Sequence, residues 1–421
     1  MTTIYPFSGL RYNTEKISSP ADVIAPPYDV IGPEEQEQLY KISPYNIIRL
    51  EYGKESKEDT PDDNRYTRAA NDLAQWMQEN VLIQEDKPVF YLYEQQYTWE
   101  GNSYQRDSLI ANLKTEPYEN KSVIPHEETL SKPKEDRLQL LRHCKTNFSP
   151  IFGLYPDKEK AVENKCASIK EKEPIMDFND YNGQRHRLWV IEDASIQKEI
   201  QEEFEDFTIF IADGHHRYET QLDFAKEMEA KGKEGYDRVL AVLVNLYSPG
   251  LLILPTHRVI KGMENLDLNK LVSSLEDEFE LEEWSSPTEI DIDNFTEKLN
   301  ERGDDRFAFG MVTKDKVYML ESKEKYSDEK LDVSWLQEKV LQERLNFTPE
   351  DIKSGDSLSY TRVDQEAVDL VVNGEAQVSF ILNPPGLDQT VNLAQTNERL
   401  PQKSTYFFPK LISGLVLNKL D

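Results

Sequence analysis

The spacing of hydrophobic and polar residues predicts a chain in which strands and helices are mixed. Alternating or continuous apolar runs predict strands over residues 89–99, 103–113, 151–155, 187–191, 207–212, 239–247, 251–260, 307–312, 317–320 and 378–382. Apolar residues spaced three and four apart predict helices over residues 33–40, 66–79, 158–171, 196–204, 218–228 and 333–345. Because some strands are continuously apolar and others alternate, we expect an α/β protein of mixed α+β type with a mixed sheet at its core.

A change in composition near Gly262 predicts two regions. Residues 1–262 hold most of the apolar strands and are predicted to form the main α/β domain. Residues 263–421 begin with an acidic, helix-rich stretch over 266–300 and are predicted to form a C-terminal α+β region. This second region carries a polar cluster of its own, so we expect it to fold back and complete a site on the first.

The excess of acidic residues bears on which kinds of molecule the protein can bind. The chain has 421 residues, with 49 Lys and Arg against 79 Asp and Glu, and a net charge of −30. Nonspecific nucleic-acid binding requires Lys and Arg on phosphates, so this balance argues against nucleic acid. The sequence shows neither a secretory signal nor an apolar stretch of membrane-spanning length, so we expect a cytoplasmic protein without a membrane partner. Whether it forms a homodimer is left open.

The two cysteines and the histidines give no sign of a zinc site. Cys144 and Cys166 do not form a Cys-x-x-Cys pair, and the histidines lack the i, i+4 spacing of a helical zinc motif. We therefore expect both cysteines to be reduced thiols.

The most informative polar run follows directly on the strand predicted over 207–212. It reads Asp213-Gly214-His215-His216-Arg217, and a helical pattern begins at once behind it. A helix N-terminus presents unpaired N–H groups that favour anions, so Gly214, His215 and Arg217 are candidates for phosphate binding. Asp213 and His216 are candidate catalytic residues, and Asp213 is also the candidate metal ligand. If Asp213 only caps the helix, its carboxylate accepts N–H bonds from the two histidines.

Four further clusters carry groups suited to phosphate chemistry. Asp29 follows a stiff double proline, and Glu127 follows Pro125-His126; both are candidate bases, because a kinase needs a carboxylate near the attacking hydroxyl. The other candidates for nucleotide binding supply positive charges, ring nitrogens or hydroxyls: His126, Arg137, His257, Arg258, Lys403, Ser404, Thr405 and Lys410.

Each cluster also has a structural alternative. Asp29 fits an Asx turn, Glu127 fits a solvated loop, and His257 fits the solvated end of a strand. The Lys-Ser-Thr run at Lys403 resembles part of a P-loop, but the glycine-rich run that should precede it is missing, so it is not a Walker A site.

The set of motifs resembles the family called domain of unknown function 1015. The resemblance runs through nearly the whole chain, and the segments that carry it are Ala25-Pro26-Pro27-Tyr28-Asp29-Val30-Ile31, His126-Glu127 with Asp136-Arg137, Asp213-Gly214-His215-His216-Arg217, Leu254-Pro255-Thr256-His257-Arg258 and Lys403-Ser404-Thr405-Tyr406-Phe407. It implies membership of this family, whose name assigns no activity.

The third of these motifs is also similar to the Asp-Gly-His-x-Arg signature of ParB/sulfiredoxin-like proteins, a group that includes free serine kinases. In those proteins the segment opens a helix and contacts nucleotide phosphates. Carried over to this chain, the resemblance implies that Gly214, His215, His216 and Arg217 hold phosphates and that Asp213 serves a metal or the substrate.

These observations lead to the hypothesis of an ATP- or ADP-dependent kinase that uses Mg²⁺ and phosphorylates a small hydroxyl substrate, with free L-serine as the first choice. The acidic segment near the start of the serine kinases is not matched here, so the carboxylate that orients the hydroxyl would be Asp29, Glu127 or Asp213. Charge on the transferring phosphoryl group would be neutralised by cationic side chains: Arg217, His216, Arg258 and Lys403.

Two other hypotheses stay open. A nonenzymatic regulatory protein would bind nucleotide tightly without transferring phosphate. A phosphatase or other hydrolase of small phosphate esters would use His215 or His216 and release phosphate without nucleotide.

Overall fold

The computed structural model describes residues 1–125, 131–264, 266–325, 331–386, 389 and 403–420. The helices are α1 (Pro33–Ile42), α2 (Ile48–Glu51), α3 (Arg65–Gln78), α4 (Ser131–Cys144), α5 (Ala161–Cys166), α6 (Ala194–Phe204), α7 (His215–Ala230), α8 (Leu268–Leu275), α9 (Ile292–Arg302), α10 (Asp332–Leu336), α11 (Pro349–Ser354) and α12 (Asp364–Val372). Short 3-10 helices cover Pro20–Asp22, Tyr28–Val30, Tyr118–Asn120 and Ala167–Ile169, and a π-helix covers Gln337–Gln342.

The strands are β1 (Ile4–Tyr5), β2 (Leu10–Tyr12), β3 (Leu82–Gln84), β4 (Phe90–Trp99), β5 (Asn102–Lys114), β6 (Val123–Ile124), β7 (Thr146–Asn147), β8 (Ile151–Tyr155), β9 (Met176–Asn179), β10 (Arg185–Ile191), β11 (Ile209–Asp213), β12 (Arg238–Asn245), β13 (Leu252–Leu254), β14 (His257–Ile260), β15 (Phe279–Ser285), β16 (Arg306–Thr313), β17 (Val317–Lys325), β18 (Leu358–Thr361), β19 (Val378–Leu382), β20 (Tyr406–Phe408) and β21 (Asn418–Lys419). The mixed α+β fold predicted from the hydrophobic pattern is confirmed.

The described residues divide into two compact units. Unit 1 contains residues 1–125, 131–252 and 409–420, and unit 2 contains the described residues between 253 and 408. The boundary expected at 262 therefore lies inside unit 2, and the final segment belongs to unit 1. Composition changes where the acidic helices begin, whereas the packing changes earlier, near the strand break at Pro255.

Unit 1 is built on a mixed sheet with the strand order β6-β11-β8-β12-β5-β4-β10-β9, and β1 pairs with the end of β5. The pairs β6–β11 and β8–β12 are parallel, and the other pairs are antiparallel. β12 is apolar along nearly its whole length because it lies between β5 and β8, in the middle of the sheet. Helices α5, α6 and α7 contribute Val162, Phe204 and Tyr218 to the core on one face.

The final segment of the chain completes unit 1. β21 pairs with β7, Leu417 forms a bridge with Leu10, and Ser413 forms a bridge with Ala25. These pairings join segments at opposite ends of the sequence, and they bring residues 409 and 410 into the unit that contains β11.

Unit 2 has a six-stranded antiparallel sheet with the order β15-β17-β16-β19-β14-β18. Side chains alternate between two apolar layers, as in β16, where Phe309 packs with α8 and α10 while Ala308 packs with α9 and α12. This arrangement buries both faces of the sheet, so unit 2 has a core of its own.

Three predicted elements differ from the structure. The strand expected over 251–260 is split into β13 and β14, because Pro255 has no N–H to continue the ladder, and β14 belongs to the sheet of unit 2. The stretch over 266–300 contains β15 between two helices, because residues 279–282 alternate with period two. The helix expected over 158–171 is limited to α5 and the 3-10 turn behind it.

Candidate functional site

The Asp213 motif lies at the junction of β11 and α7 in unit 1. β11 is buried up to Ala212, and the register between β11 and β8 shifts by one residue between Ile211 and Asp213, so that Ala212 is the extra residue of a β-bulge and Asp213 pairs with Phe152. Gly214 has a φ of 92°, a left-handed conformation that glycine adopts without a Cβ penalty. α7 begins at the next residue without a side-chain cap, so its N-terminus faces the same region as the acid.

Arg217 is folded back over this turn. Its side chain is 9% exposed; it donates a hydrogen bond to the carbonyl of Pro150 and another, 3.4 Å long, to Oδ2 of Asp213. A Cβ on Gly214 would lie only 3.0 Å from Nε of Arg217, so any other residue at that position would push the guanidinium aside by a few tenths of an ångström. The turn and the arginine therefore depend on each other.

Asp213 is the centre of a charge cluster. Nζ of Lys410 and a guanidinium nitrogen of Arg217 each lie 3.4 Å from its Oδ2. Burial alone would raise the pKa of this carboxyl, but the charges of Lys410, Arg217 and His215 outweigh it and hold the pKa well below the usual range. Asp213 is therefore ionised at neutral pH, and two permanent cations accompany it.

The two histidines of the motif differ in environment. His215 is buried beside Asp213, whereas His216 is only partly buried. Burial lowers the pKa of His216, with Glu219 and Asp29 acting against the shift and Arg217 acting with it. His216 is therefore mainly neutral at pH 7 and lies within electrostatic range of Asp29.

The loop that carries Asp29 reaches the same site. The prolines lead into the 3-10 helix Tyr28–Val30, in which the side chain of Asp29 is exposed. The guanidinium of Arg137 lies 4.1 Å from the centre of the Tyr28 ring. Burial raises the pKa of Tyr28 to about 12, although the charges of Arg137 and Arg217 oppose the shift. Tyr28 therefore lies next to Asp29 in the sequence, in contact with Arg137 and within electrostatic range of Arg217.

Arg137 is held by acids on two sides. It pairs with Asp136 next to it in α4, and it donates a 2.9 Å hydrogen bond to the backbone carbonyl of Glu51 while lying 3.5 Å from the Glu51 carboxylate. The hydroxyl of Ser149 donates to the same carboxylate at 2.5 Å. These contacts fix the guanidinium below Tyr28.

A small cavity adjoins these groups. It has a volume of about 30 Å³, and its lining includes Glu51, Arg137, Ser149, Arg217 and Thr220. A space of this size holds about two water molecules, at roughly 10–15 Å³ each. The two arginines therefore line one solvent-accessible space in unit 1.

Lys410 owes its position to another buried arginine. Arg106 of β5 is 0% exposed, donates to the side chain of Gln95 and donates a 2.8 Å hydrogen bond to the carbonyl of Pro409. Because Pro409 directly precedes Lys410, this bond holds the backbone from which the lysine reaches Asp213.

The structure thus brings together part of the predicted site. Within unit 1 it places near one another Asp213, Gly214, His215, His216, Arg217, Asp29, Arg137 and Lys410. Sequence reasoning missed the partners that hold these groups: Tyr28, Glu51, Ser149 and Arg106. Tyr28 lay inside a motif already noted, whereas Glu51, Ser149 and Arg106 carry no local pattern that marks them.

Five predicted residues lie in unit 2. His257 is fully buried; its Nδ1 accepts the N–H of Leu382, and its Nε2 lies 2.8 Å from Asp364. Arg258 is also buried and donates to the carbonyl of Thr256. The other three form the Lys-Ser-Thr run. Lys403 is exposed, whereas Ser404 and Thr405 are buried. His126 and Glu127 lie outside the described residues.

Three further observations bear on the predictions. In the part of the chain that the structure describes, no group of three or more His, Cys, Asp or Glu side chains is arranged to hold a metal ion. None of the helices there is long and apolar enough to cross a membrane. Cys144 and Cys166 are buried thiols, and burial raises the pKa of each to about 12.

Comparisons with known proteins give one family and several distant structures. The family model described as "Protein of unknown function (DUF1015)" matches residues 4–345. No curated protein matches the sequence. A conserved hypothetical protein from Pyrococcus furiosus is similar at 16% identity and a TM-score of 0.36, over 72% of this chain and 92% of that chain.

Two further solved structures are similar at the same level. A free serine kinase in complex with AMP has 17% identity and a TM-score of 0.37, over 71% of this chain and 86% of that chain. SbnI with a C-terminal truncation, from Staphylococcus aureus, has 12% identity and a TM-score of 0.34, over 72% of this chain and 85% of that chain.

Proposed function

The chain belongs to the DUF1015 family of proteins of unknown function, and we propose that it is a nucleotide-dependent kinase that phosphorylates a small hydroxyl substrate. ATP or ADP is the proposed donor, and free L-serine is the proposed substrate. The choice of L-serine follows from the likeness of residues 213–217 to the signature of free serine kinases.

The observation that carries this proposal is the arrangement of Asp213, Arg217 and Lys410 at the N-terminus of α7. Helix N-termini and arginine forks are the groups by which proteins bind phosphate, and a lysine adds a mobile point charge. An arriving phosphate can take over contacts that Arg217 and Lys410 now make with the carboxylate. The carboxylate of Asp213 would then be available to interact with the substrate hydroxyl or with Mg²⁺.

The transfer step needs a carboxylate beside the attacking hydroxyl. In the proposed step the substrate hydroxyl gives its proton to Asp29 or Asp213, and its oxygen bonds to the terminal phosphorus of the nucleotide. The bond from that phosphorus to the bridging oxygen breaks, and ADP leaves when ATP is the donor, or AMP when ADP is. Arg217, Lys410 and the α7 N-terminus stabilise the charge on the phosphoryl group.

Mg²⁺ fits this site as a companion of the nucleotide. Mg²⁺ commonly binds through one or two carboxylates together with phosphate oxygens and water, and Asp213 offers one ionised carboxylate. When bound, the ion would neutralise charge on the phosphates. His216, neutral near pH 7, would contribute a hydrogen bond rather than a charge.

The test is direct synthesis of phosphoserine. Purified protein is incubated with Mg-ATP or Mg-ADP and L-serine, and phosphoserine and the released nucleotide are measured by mass spectrometry. We expect equimolar formation of phosphoserine and ADP or AMP. Nucleotide binding without transfer to any hydroxyl compound would instead support a regulatory protein, and phosphate release from phosphoserine without nucleotide would support a hydrolase.

Two variants connect the activity with the site. Lys410→Met keeps the aliphatic stem but removes the charge, and we expect kcat to fall about 10²–10³-fold, the usual effect of losing one charge-stabilising donor. Lys226→Met removes a charge from the exposed face of α7 and serves as the matched control, with activity unchanged. Equal activity in both variants would remove Lys410 from the proposed site.

The role of Asp29 is tested in the same way. Asp29→Asn should reduce kcat, while Glu34→Gln, an equally exposed acid in α1, should not. If Asp29→Asn keeps full activity, Asp213 remains as the proton acceptor among the described candidates.

A further inference from the structure

Lys134 is a lysine of unit 1 that lies beside α7, the helix that begins at the Asp213 motif. It is the fourth residue of α4, its side chain is 32% exposed, and its Nζ lies 3.0 Å from Oε2 of Glu219. A lysine in the first turn of a helix lies near the positive end of the helix dipole, where a cation is unfavourable. The position of Lys134 therefore requires a negative partner.

Helices α4 and α7 run in the same direction. Lys134 of α4 pairs with Glu219 of α7, and eight residues further along each helix Arg142 pairs with Glu227. Because the sequence numbers rise together, the two helices have their N-terminal ends at the same end of the pair. Eight residues correspond to about 12 Å along a helix axis, so only the first of these two pairs is close to the start of α7.

The charge of Lys134 reaches the second histidine of the motif. Burial is the main cause of the lowered pKa of His216, and Lys134 is among the charges that lower it further. His216 and Glu219 are three residues apart in α7, so they lie on the same side of the helix as Lys134.

Arg217 points in a different direction from His216, because successive residues are about 100° apart around a helix. Its guanidinium and Nζ of Lys410 both lie 3.4 Å from Oδ2 of Asp213. The start of α7 therefore has one lysine on the side of Asp213 and another on the side of α4.

We propose that Lys134 binds a second phosphate group of the donor, next to the phosphate that Arg217 and Lys410 bind. The proposal rests on the nucleotide site proposed above, and it names the class of ligand that this site selects: a compound with two or more linked phosphates rather than a monophosphate. Before binding, Glu219 holds Lys134 as Asp213 holds Lys410. Phosphate oxygens then replace the carboxylate at each lysine.

Glu219 competes with the ligand for Lys134 in this arrangement. Removing the charge of Glu219 should therefore strengthen the binding of a diphosphate, whereas removing the charge of Lys134 should weaken it. An ion pair that only joins two helices predicts a different result, because loss of either member would change the stability slightly and leave anion binding as it was.

The experiment measures the dissociation constants of inorganic phosphate and pyrophosphate by calorimetry on the full-length protein. We expect the wild type to bind pyrophosphate about tenfold more tightly than phosphate, or better, because one more charged hydrogen bond forms. Lys134→Met should weaken pyrophosphate binding by about tenfold or more and leave phosphate binding nearly unchanged. Glu219→Gln should strengthen pyrophosphate binding several-fold.

The second ion pair of the same two helices provides the matched control. Arg142 and Glu227 have side chains that are 35% and 30% exposed, and Nε of Arg142 donates a 3.1 Å hydrogen bond to Oε2 of Glu227. Arg142→Met and Glu227→Gln should leave both dissociation constants unchanged. Urea unfolding establishes that each variant is folded, and ADP should follow the pattern of pyrophosphate in every protein.

The proposal is overturned if the wild type does not prefer pyrophosphate, if Lys134→Met binds it normally, if Glu219→Gln weakens it, or if Arg142→Met has the same effect as Lys134→Met. Pyrophosphate binding that depends on Lys134, in a protein that makes no phosphoserine, would contradict the kinase and leave this role of Lys134 standing. Normal phosphoserine synthesis and normal pyrophosphate binding by Lys134→Met would contradict this role and leave the kinase standing.

Discussion

At the scale of single residues, Gly214 decides the direction in which α7 leaves β11. Its φ of 92° strains any residue with a Cβ, and a Cβ there would also press on the guanidinium of Arg217. Gly235 has nearly the same φ, 90°, but a Cβ there would meet nothing within 4 Å. An alanine at either position would strain the backbone to a similar extent, but only an alanine at Gly214 would also displace Arg217.

We predict that Gly214→Ala and Gly235→Ala lose a similar stability, about 1–2 kcal/mol, from the left-handed backbone alone. Gly214→Ala should in addition lose nucleotide binding, because Arg217 must move. The free energy of unfolding is measured in urea, and binding is measured by titration with Mg-ATP. Normal nucleotide binding by Gly214→Ala would contradict the role given to this turn.

A second residue-scale prediction concerns the pH dependence of stability. The pKa of Asp213 is lower in the folded than in the unfolded protein, so its ion pairs stabilise the fold above the unfolded pKa of about 3.9 and are lost as the pH falls through the folded value. Lys410→Met removes one pair and should destabilise the protein by about 1–3 kcal/mol at pH 7. This difference should shrink steadily below about pH 4.

Denaturant unfolding of both proteins between pH 2 and 7 provides the measurement, and Lys226→Met provides the matched charge control. A difference between wild type and Lys410→Met that stays constant down to pH 2 would show that the lysine acts through packing rather than through Asp213.

The sequence predicted the Asp213 turn because its signals are local. An apolar run, an acid, a glycine and a helical pattern follow one another within a few residues. The contact of Asp213 with Lys410 joins positions almost two hundred residues apart, and no periodicity reports such a distance. Glu51 and Arg106 were missed for a related reason: buried charges occupy positions where hydrophobic patterning predicts apolar side chains.

At the scale of elements, Arg137 connects α4 with the short helix α2. It bonds to both the carbonyl and the carboxylate of Glu51, and both side chains are buried, at 6% and 3% exposure. Removing one partner of a buried pair leaves the other charge without compensation, which costs more than the pair itself contributes.

We therefore predict that Arg137→Met destabilises the protein by about 3–5 kcal/mol, and that adding Glu51→Gln recovers a large part of this loss. A double-mutant cycle based on urea unfolding measures the coupling. Additive effects of the two substitutions would show that α2 and α4 are held together by other contacts.

Element boundaries were predicted well where the pattern is strong. α3, β8 and β19 lie within a residue of their predicted positions or match them. The strand over 251–260 was wrong because the apolar residues continue across Pro255, whereas the hydrogen-bond ladder does not. Which sheet a strand joins depends on partners far away in the sequence, and for β14 these are β18 and β19.

At the scale of the whole molecule, unit 1 is discontinuous in sequence. Residues 409–420 supply β21 and the bridges to Leu10 and Ala25, so a fragment that ends before them lacks part of the unit. The described residues of unit 2 all lie between 253 and 408 in the sequence, and they form apolar layers on both sides of its sheet. The two units should therefore differ in their ability to fold alone.

We predict that residues 253–408 fold cooperatively as a separate protein and that residues 1–252 do not. Joining residues 1–252 to 409–421 through four to six Gly and Ser residues should restore cooperative unfolding. β13 and β20 pair where the chain leaves and re-enters unit 1, so a short linker can join the two ends. Circular dichroism and thermal melting check all three proteins. A stably folded 1–252 fragment would contradict the role given to the final segment.

The position of Pro409 and Lys410 late in the sequence also affects the order in which the protein can fold during synthesis. During synthesis, the ribosome must make all of unit 2 after Leu252 before it reaches Lys410, which at roughly 5–20 residues per second takes on the order of 10–30 seconds. Over that interval nascent unit 1 carries Asp213 without its lysine and lacks β21. Unit 2 can mature on the ribosome while unit 1 waits, so premature termination inside unit 2 would yield chains that never assemble the Asp213–Lys410 pair.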